Sequence, residues 1–272
     1  MAGTGQAGSI GQTGHAGQMA QPGQWSSFQG PTRMGPPWMS STPYGAGPQA
    51  NTKPTALLCG HSMIFWAGRA AARSVIRTHL SLGRWVNVAW MGRRGMRWEG
   101  LLPALLGGQH SVAAPGNMGG GSWSRAQRGL GGQRPVAAPR WLVLHLGGND
   151  LCILGGLALL IQAREDLRRL REVWPTTQVV WSEILPRIVW RDASSLRAIH
   201  RARRRVNRAM GKTVRELGGV VIPHPLISID QPWLYRDDGV HLSDQGNAIF
   251  LQDLQRSLRE LAQIEGGVGG PR

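Results

Sequence analysis

The stretch Thr55-Ala56-Leu57-Leu58-Cys59-Gly60-His61-Ser62-Met63-Ile64-Phe65-Trp66-Ala67 decides how the rest of the chain is read. Thr55 to Cys59 is a short, mostly apolar run that stops at a glycine. Met63 to Ala67, with Ala70 to Ala72 beyond, then continues in helix-compatible residues. The pattern predicts strand, tight turn, helix. Such a turn lifts the Ser62 hydroxyl off the sheet edge and sets its backbone N–H at a helix N-terminus, where developing negative charge is favoured. Alone, the same residues are equally served by a plain strand-to-helix turn with a capping serine.

Three further clusters follow along the chain. Gly92-Arg93-Arg94-Gly95 is the first. Trp141 to Leu146 predicts a second buried strand, and it delivers Gly147, Gly148, Asn149 and Asp150 to the same sheet edge. The Asn149 side chain can donate an N–H to an oxyanion. Asp238-Gly239-Val240-His241 lies in a polar stretch just before a helix-like segment from Gln245 to Ile264. A carboxylate three residues before a histidine can hold the ring nitrogen that faces away from the serine, fixing tautomer and orientation. Each cluster has an ordinary structural reading as well: Asn149-Asp150 as a helix cap, Asp238-Gly239 as a turn. Their joint order is the one a hydrolytic mechanism would need: Ser62 as nucleophile, His241 as base with Asp238 behind it, and an oxyanion site to which Asn149 can donate.

The intervening segments supply the scaffold. Leu157 to Val173 carries Leu157, Leu160, Ile161, Leu167 and Leu170 between arginines, an amphipathic helix stopped by Pro175. Gln178 to Leu185 predicts a strand, Ser195 to Leu217 a second amphipathic helix, and Gly219 to Pro223 a short strand. Strands alternating with helices argue a parallel sheet, whose ligands sit beyond the carboxyl ends of the strands.

On these motifs the chain resembles the SGNH hydrolases, the GDSL-type esterases and lipases. Ser62, Gly95, Asn149 and His241 match the four blocks, and Asp238-Gly239-Val240-His241-Leu242-Ser243 is the most specific stretch. The resemblance covers about Thr55 to Ala262. It implies a flavodoxin-like, three-layer α/β/α sandwich on a mostly parallel five-stranded sheet. It also implies attack by Ser62 on an acyl carbon, with His241 as general base, Asp238 orienting it, and an oxyanion hole of the Ser62 N–H, the Gly95 N–H and the Asn149 side chain. A narrower likeness joins Gly60-His61-Ser62 with an aromatic soon after, Gly92 to Trp98, Leu144 to Leu151, Val180 to Ile184 and Arg203 to Ala209 to copies of this domain in retrotransposon-derived reading frames of vertebrate genomes. Two departures stand out. His61 occupies the place of the usual aspartate before the nucleophile, removing an acceptor and a negative charge. Trp90 stands where an asparagine is common.

The chain has 272 residues. One domain over 55–262 is expected, with a Gly-rich insertion at 107–140. Within the insertion Gly107 to Pro115 is echoed by Gly131 to Pro139, too few copies for a solenoid. Residues 1–54 are rich in Gly, Gln, Pro and Ser, hold no acid, and bury too little apolar surface to offset ordering, so disorder is expected there and in 263–272.

The formal charge is +16, from 31 Lys plus Arg against 15 Asp plus Glu, and only Lys53 and Lys212 are lysine. An arginine-rich chain invites a nucleic-acid reading, with Arg197, Arg201, Arg204, Arg205 and Arg208 on one predicted helix as candidate contacts. A solvated helix face is the simpler account. Cys59 and Cys152 have no disulfide or zinc-ligand pattern, and His15, His79, His110 and His200 show no partner cluster, so neither metal nor cofactor is expected. No signal pattern or membrane-length apolar run is present, which predicts an intracellular, cytoplasmic protein; the resemblance implies a small-molecule or lipid-like ester as substrate.

Overall fold

The computed structural model describes residues 53–107 and 135–267. Five strands form one sheet: β1 (Thr55–Gly60), β2 (Asn87–Gly92), β3 (Trp141–His145), β4 (Gln178–Ser182) and β5 (Val220–Ile222). Their spatial order is β2-β1-β3-β4-β5 and every pairing is parallel. The helices are α1 (Ser62–Arg73), α2 (Leu101–Leu106), α3 (Gly155–Val173), α4 (Leu196–Glu216) and α5 (Asp244–Gly267).

Alternation along the strands sorts the core into two layers. Leu57 and Cys59 of β1, Leu142 and Leu144 of β3 and Trp181 of β4 face one side, where they meet Leu101 and Leu105 of α2, Leu159, Ala163 and Leu167 of α3, and Val206, Met210 and Val214 of α4. Ala56 and Leu58, Trp141 and Val143, and Val180 and Ile222 face the other, against Ile64 and Ala67 of α1 and Phe250, Leu254 and Leu258 of α5. The expected three-layer α/β/α sandwich follows from this division, since a parallel sheet must be covered on both faces.

Boundaries differ from the sequence reading in instructive places. β4 ends at Ser182, three residues before the predicted Leu185, because the chain turns down to carry Ile184 and Leu185 into separate core layers. β2, not predicted as a strand, is an edge strand of partly buried residues that lacks a full apolar run. α5 continues to Gly267, into the stretch assigned to a disordered tail. At the insertion, Val136 N–H donates to Leu105 O at 2.9 Å, so its last residues are docked on the domain. The duplication at 107–139 and the disorder expected over 1–54 fall largely outside the described residues. Among those described, no helix is long and apolar enough to cross a membrane.

Candidate active site

Four strand ends converge on one edge of the sheet. β1 runs directly into α1, and the first helical residue is Ser62. The cap of that helix is His61, whose Nδ1 accepts from Met63 N–H at 3.2 Å. The capping role therefore belongs to His61 and not to Ser62. The lost acceptor expected from replacing aspartate is also corrected: an imidazole nitrogen supplies one, and only the negative charge is gone. Burial, followed by the neighbouring His145, Arg187 and His241 charges, drives the His61 pKa well below its ordinary value, so the ring is neutral.

Across the cleft, His241 Nε2 lies 2.9 Å from Ser62 Oγ, and His241 Nδ1 lies 2.5 Å from Asp238 Oδ2. Asp238 Oδ1 accepts the backbone N–H groups of Val240 at 2.9 Å and His241 at 2.8 Å. Partial burial raises the Asp238 pKa, but the hydrogen bonds from the His241 ring and these two N–H groups outweigh it and hold the carboxyl at about 2. An ionised Asp238 fixes the imidazole proton on Nδ1 and leaves the Nε2 lone pair facing the serine. The turn that makes this possible needs Gly239 at φ +61, and Val189 N–H donates to Gly239 O at 2.9 Å to anchor it. Trp66 stands edge-on to the His241 ring with centroids 6.4 Å apart, and Arg236 lies over Trp66 at 4.3 Å.

Ser62, His241, Gly95 and Asn149 line one cavity of about 560 Å³. Asn149 donates Nδ2 to Met96 O at 3.0 Å, and its Oδ1 accepts from Arg187 at 3.1 Å. Arg187 thus fixes which end of the amide is the donor, and the second Nδ2 hydrogen remains to be given to a ligand. Gly95, at φ +73, has nothing within 4 Å of where a Cβ would sit, so its backbone is open to the cavity. Asp150, which also fitted a helix cap, instead accepts Trp98 N–H at 3.0 Å and ties the segment after Gly95 to the loop that follows β3. α3 starts later, after Leu154.

Sequence reasoning missed Arg187, a buried arginine stacked at 4.9 Å on Trp190. It also missed Arg94, Arg97 and Arg191 as lining groups of the cavity. Among the tryptophans, Trp190 lines the cavity, Trp98 and Trp181 are core, and Trp90 donates Nε1 to Thr78 O.

A second Ser–His–Asp array lies beneath. Ser182 Oγ is 2.8 Å from His224 Nε2, and His224 Nδ1 is 2.9 Å from Asp253 Oδ2. Ser182 is fully buried and lines no cavity described at the site, so the array is a structural thread between β4, the end of β5 and α5. One set of neutral tautomers satisfies every contact in it. Asp253 keeps the His224 proton on Nδ1, Ser182 donates to His224 Nε2, and Ser182 accepts from His145 Nδ1 at 2.9 Å. His145 Nε2 is then a bare acceptor and His61 Nε2 a bare donor. Both are buried without a partner among the described residues, on rings 5.0 Å apart.

The arginines of α4 divide. Arg197, Arg204 and Arg208 line a separate groove of about 830 Å³ with Arg203 and Arg215, while Arg201 and Arg205 are exposed outside its lining.

Residues 80–249 match the model of the GDSL-like lipase/acylhydrolase family, and the chain belongs to that family. The match begins after Ser62. Among solved structures, a GDSL-like lipase from Bacteroides thetaiotaomicron superposes with a TM-score of 0.52 at 11% identity, covering 76% of this chain and 89% of that one. A family 3 carbohydrate esterase from Clostridium thermocellum gives 0.49 at 14% identity over 78% and 100% of the two chains. One of the same family from Talaromyces cellulolyticus gives 0.49 at 17% over 77% and 98%. Among curated proteins no sequence match reaches significance.

Proposed function

We propose that this protein is a serine esterase that hydrolyses a carboxylic ester or acetyl group through an acyl-serine intermediate. The observation that carries the proposal is the continuous line Asp238–His241–Ser62, with contacts of 2.5 and 2.9 Å. Ser62 Oγ attacks the acyl carbon as His241 Nε2 takes its proton, and Asp238 stabilises the imidazolium. The oxyanion is held by the N–H groups of Ser62 and Gly95 and the free Nδ2 hydrogen of Asn149, all lining the same cavity. Collapse expels the alcohol, protonated by His241, and water then deacylates Ser62 by the same base. Hydrolysis of a short-chain aryl ester by purified protein, paired with Ser62→Ala, tests this. A loss of about 10³-fold or more is expected, and equal rates for the two proteins would end the assignment.

The arginine groove favours a second reading, in which a retroelement-derived SGNH fold associates with nucleic acid and hydrolyses weakly or not at all. Arg197, Arg203, Arg204, Arg208 and Arg215 line it against the acids Glu183 and Asp230, a balance suited to phosphates. A binding surface alone has no need of the ordered Ser62–His241–Asp238 line, and that line makes the esterase the leading reading.

A further inference from the structure

The cavity at Ser62 is lined by four arginines, Arg94, Arg97, Arg187 and Arg191, against one acid, Asp192. Three of the four are exposed and would count for little in so basic a chain. Arg187 is different: it is 7% exposed. Among the described residues it forms no ion pair, and its guanidinium is held by Asn149 Oδ1 and the Trp190 ring, both neutral. Asp150 and Asp238 act on Arg187 only through space, without an ion-pair contact: Asp150 Oδ1 accepts Trp98 N–H and Asp238 Oδ2 holds His241. A buried guanidinium without a counter-anion is costly, and proteins ordinarily supply one.

The fold makes room for this cation. A Cβ on Gly148 would lie 2.6 Å from an Arg187 terminal nitrogen and 3.2 Å from His61 Nε2. Residue 61 is therefore the side chain placed to neutralise Arg187, and here it is an uncharged imidazole. Burial accordingly pulls the guanidinium pKa down to about 10, which still leaves it charged at neutral pH.

Resting on the esterase reading, we propose that the missing anion comes with the substrate: the site selects esters bearing a carboxylate or phosphate within a few bonds of the reacting carbonyl. A cavity of about 560 Å³ accommodates an acyl group together with such a substituent. Arg187 meets the charge at the oxyanion side, and Arg94, Arg97 and Arg191 draw it in from the rim. The charge sits on the acyl or the alcohol portion, and the two sources separate by experiment.

The test compares kcat/KM for matched pairs with the full chain. Mono(4-nitrophenyl) glutarate against 4-nitrophenyl pentanoate places the charge on the acyl side. 3-Acetoxybenzoate against 3-tolyl acetate places it on the alcohol side. Uncatalysed hydrolysis, including attack by the glutarate carboxylate on its own ester, is subtracted. The anionic member of at least one pair is expected to be favoured about tenfold or more, the factor that about 1.4 kcal/mol confers. The preference should fall severalfold in Arg94→Gln/Arg97→Gln/Arg191→Gln. It should also fall in His61→Asp, where a good capping residue retains the acceptor for Met63 N–H and brings a carboxylate to Arg187. The ratio within each protein cancels any general loss of rate.

Ser62-dependent hydrolysis with a ratio near one in both pairs overturns the anionic preference and leaves the esterase standing. A preference unchanged in both variants overturns the role of these arginines. Absence of Ser62-dependent hydrolysis of all four esters removes the esterase reading, and the inference with it.

Discussion

Lowering the pH from 7.5 to 5.5 should destabilise the protein, and His61 should account for a calculable part of the loss. Its folded pKa lies well below the ordinary histidine value, with burial the largest cause. In the unfolded chain it titrates near 6.5. Over this interval the unfolded state goes from about one-tenth to about nine-tenths protonated at this residue while the folded state stays neutral. The unfolded state binds more protons, so stability is full above about pH 6.5 and falls as pH drops, by about 1.4 kcal/mol over the two units. His145, fully buried beside it and lowered by burial, His224 and Arg187, adds a similar amount. Asp166 works in the opposite direction: burial lifts it to about 6, so the folded state holds its proton more tightly and stability rises as pH falls through that value. His61→Asn isolates one contribution, since asparagine caps well and does not titrate. Urea unfolding of wild type and variant at both pH values, analysed at a common slope, gives the double difference. The variant should lose about 1.4 kcal/mol less than wild type. Equal losses would mean that His61 takes up a proton in the fold, and the argument for a neutral cap beside Ser62 would be wrong.

Asn149→Ala should lower kcat by about 10² to 10³-fold with the fold intact by circular dichroism, as expected for one oxyanion donor among three. Gly92→Ala should fail to fold or lose about 3 kcal/mol or more in thermal or urea unfolding, because the added Cβ would sit 2.3 Å from Phe65 N and 2.4 Å from Phe65 Cα, both backbone atoms. Gly95→Ala meets no atom and bears only the left-handed backbone penalty of about 1 to 2 kcal/mol, so it should fold. Arg204→Ala/Arg205→Ala/Arg208→Ala reports on the basic face of α4, with Arg204 and Arg208 in the groove and Arg205 beside it. If nucleic acid binds there, the log–log salt slope should fall by about 0.9 per lost duplex-DNA phosphate contact, or about 0.7 for single strands, while esterase activity survives; unchanged affinity and slope would assign the cluster to solvation.

The elements legible in the sequence were those whose signal is local. β1 and β3 are fully or nearly fully buried and read as short apolar runs that follow closely on a proline and lead into glycine. α4 was legible from an apolar side through Leu196, Ile199, Val206 and Leu217, of which Ile199 and Val206 are buried in the structure, joined by Met210 and Val214. Asp238 and His241 were readable because both hydrogen-bonding partners lie within one turn. β2 was not, since an edge strand with partly buried residues has neither a full apolar run nor a clean alternation. Arg187 was unreadable for another reason. Nothing about one arginine in an arginine-rich chain says that it will be buried, and the signal is the fold bringing Asn149, Trp190 and the bare backbone of Gly148 around it. Ser182, His224 and Asp253 come from three separate elements, so no spacing could have joined them.

Position 61 ties these observations together through the charges that change during hydrolysis. In the attacking step negative charge appears at the acyl oxygen and positive charge on His241. A carboxylate at 61 would favour the imidazolium and cancel part of Arg187. The neutral imidazole does neither, which leaves Asp238 to stabilise the imidazolium and Arg187 to reinforce Asn149 from behind. Asp238 is suited to this, being ionised down to about pH 2 and fixed by two backbone N–H groups. The field across the cleft is thereby shifted toward the oxyanion side. A neutral ester feels it only as charge develops in the transition state, whereas an anionic ester feels it from the moment of binding. The arginines should therefore act mainly on KM for anionic substrates, and Asn149 with the two backbone N–H groups on kcat for all of them.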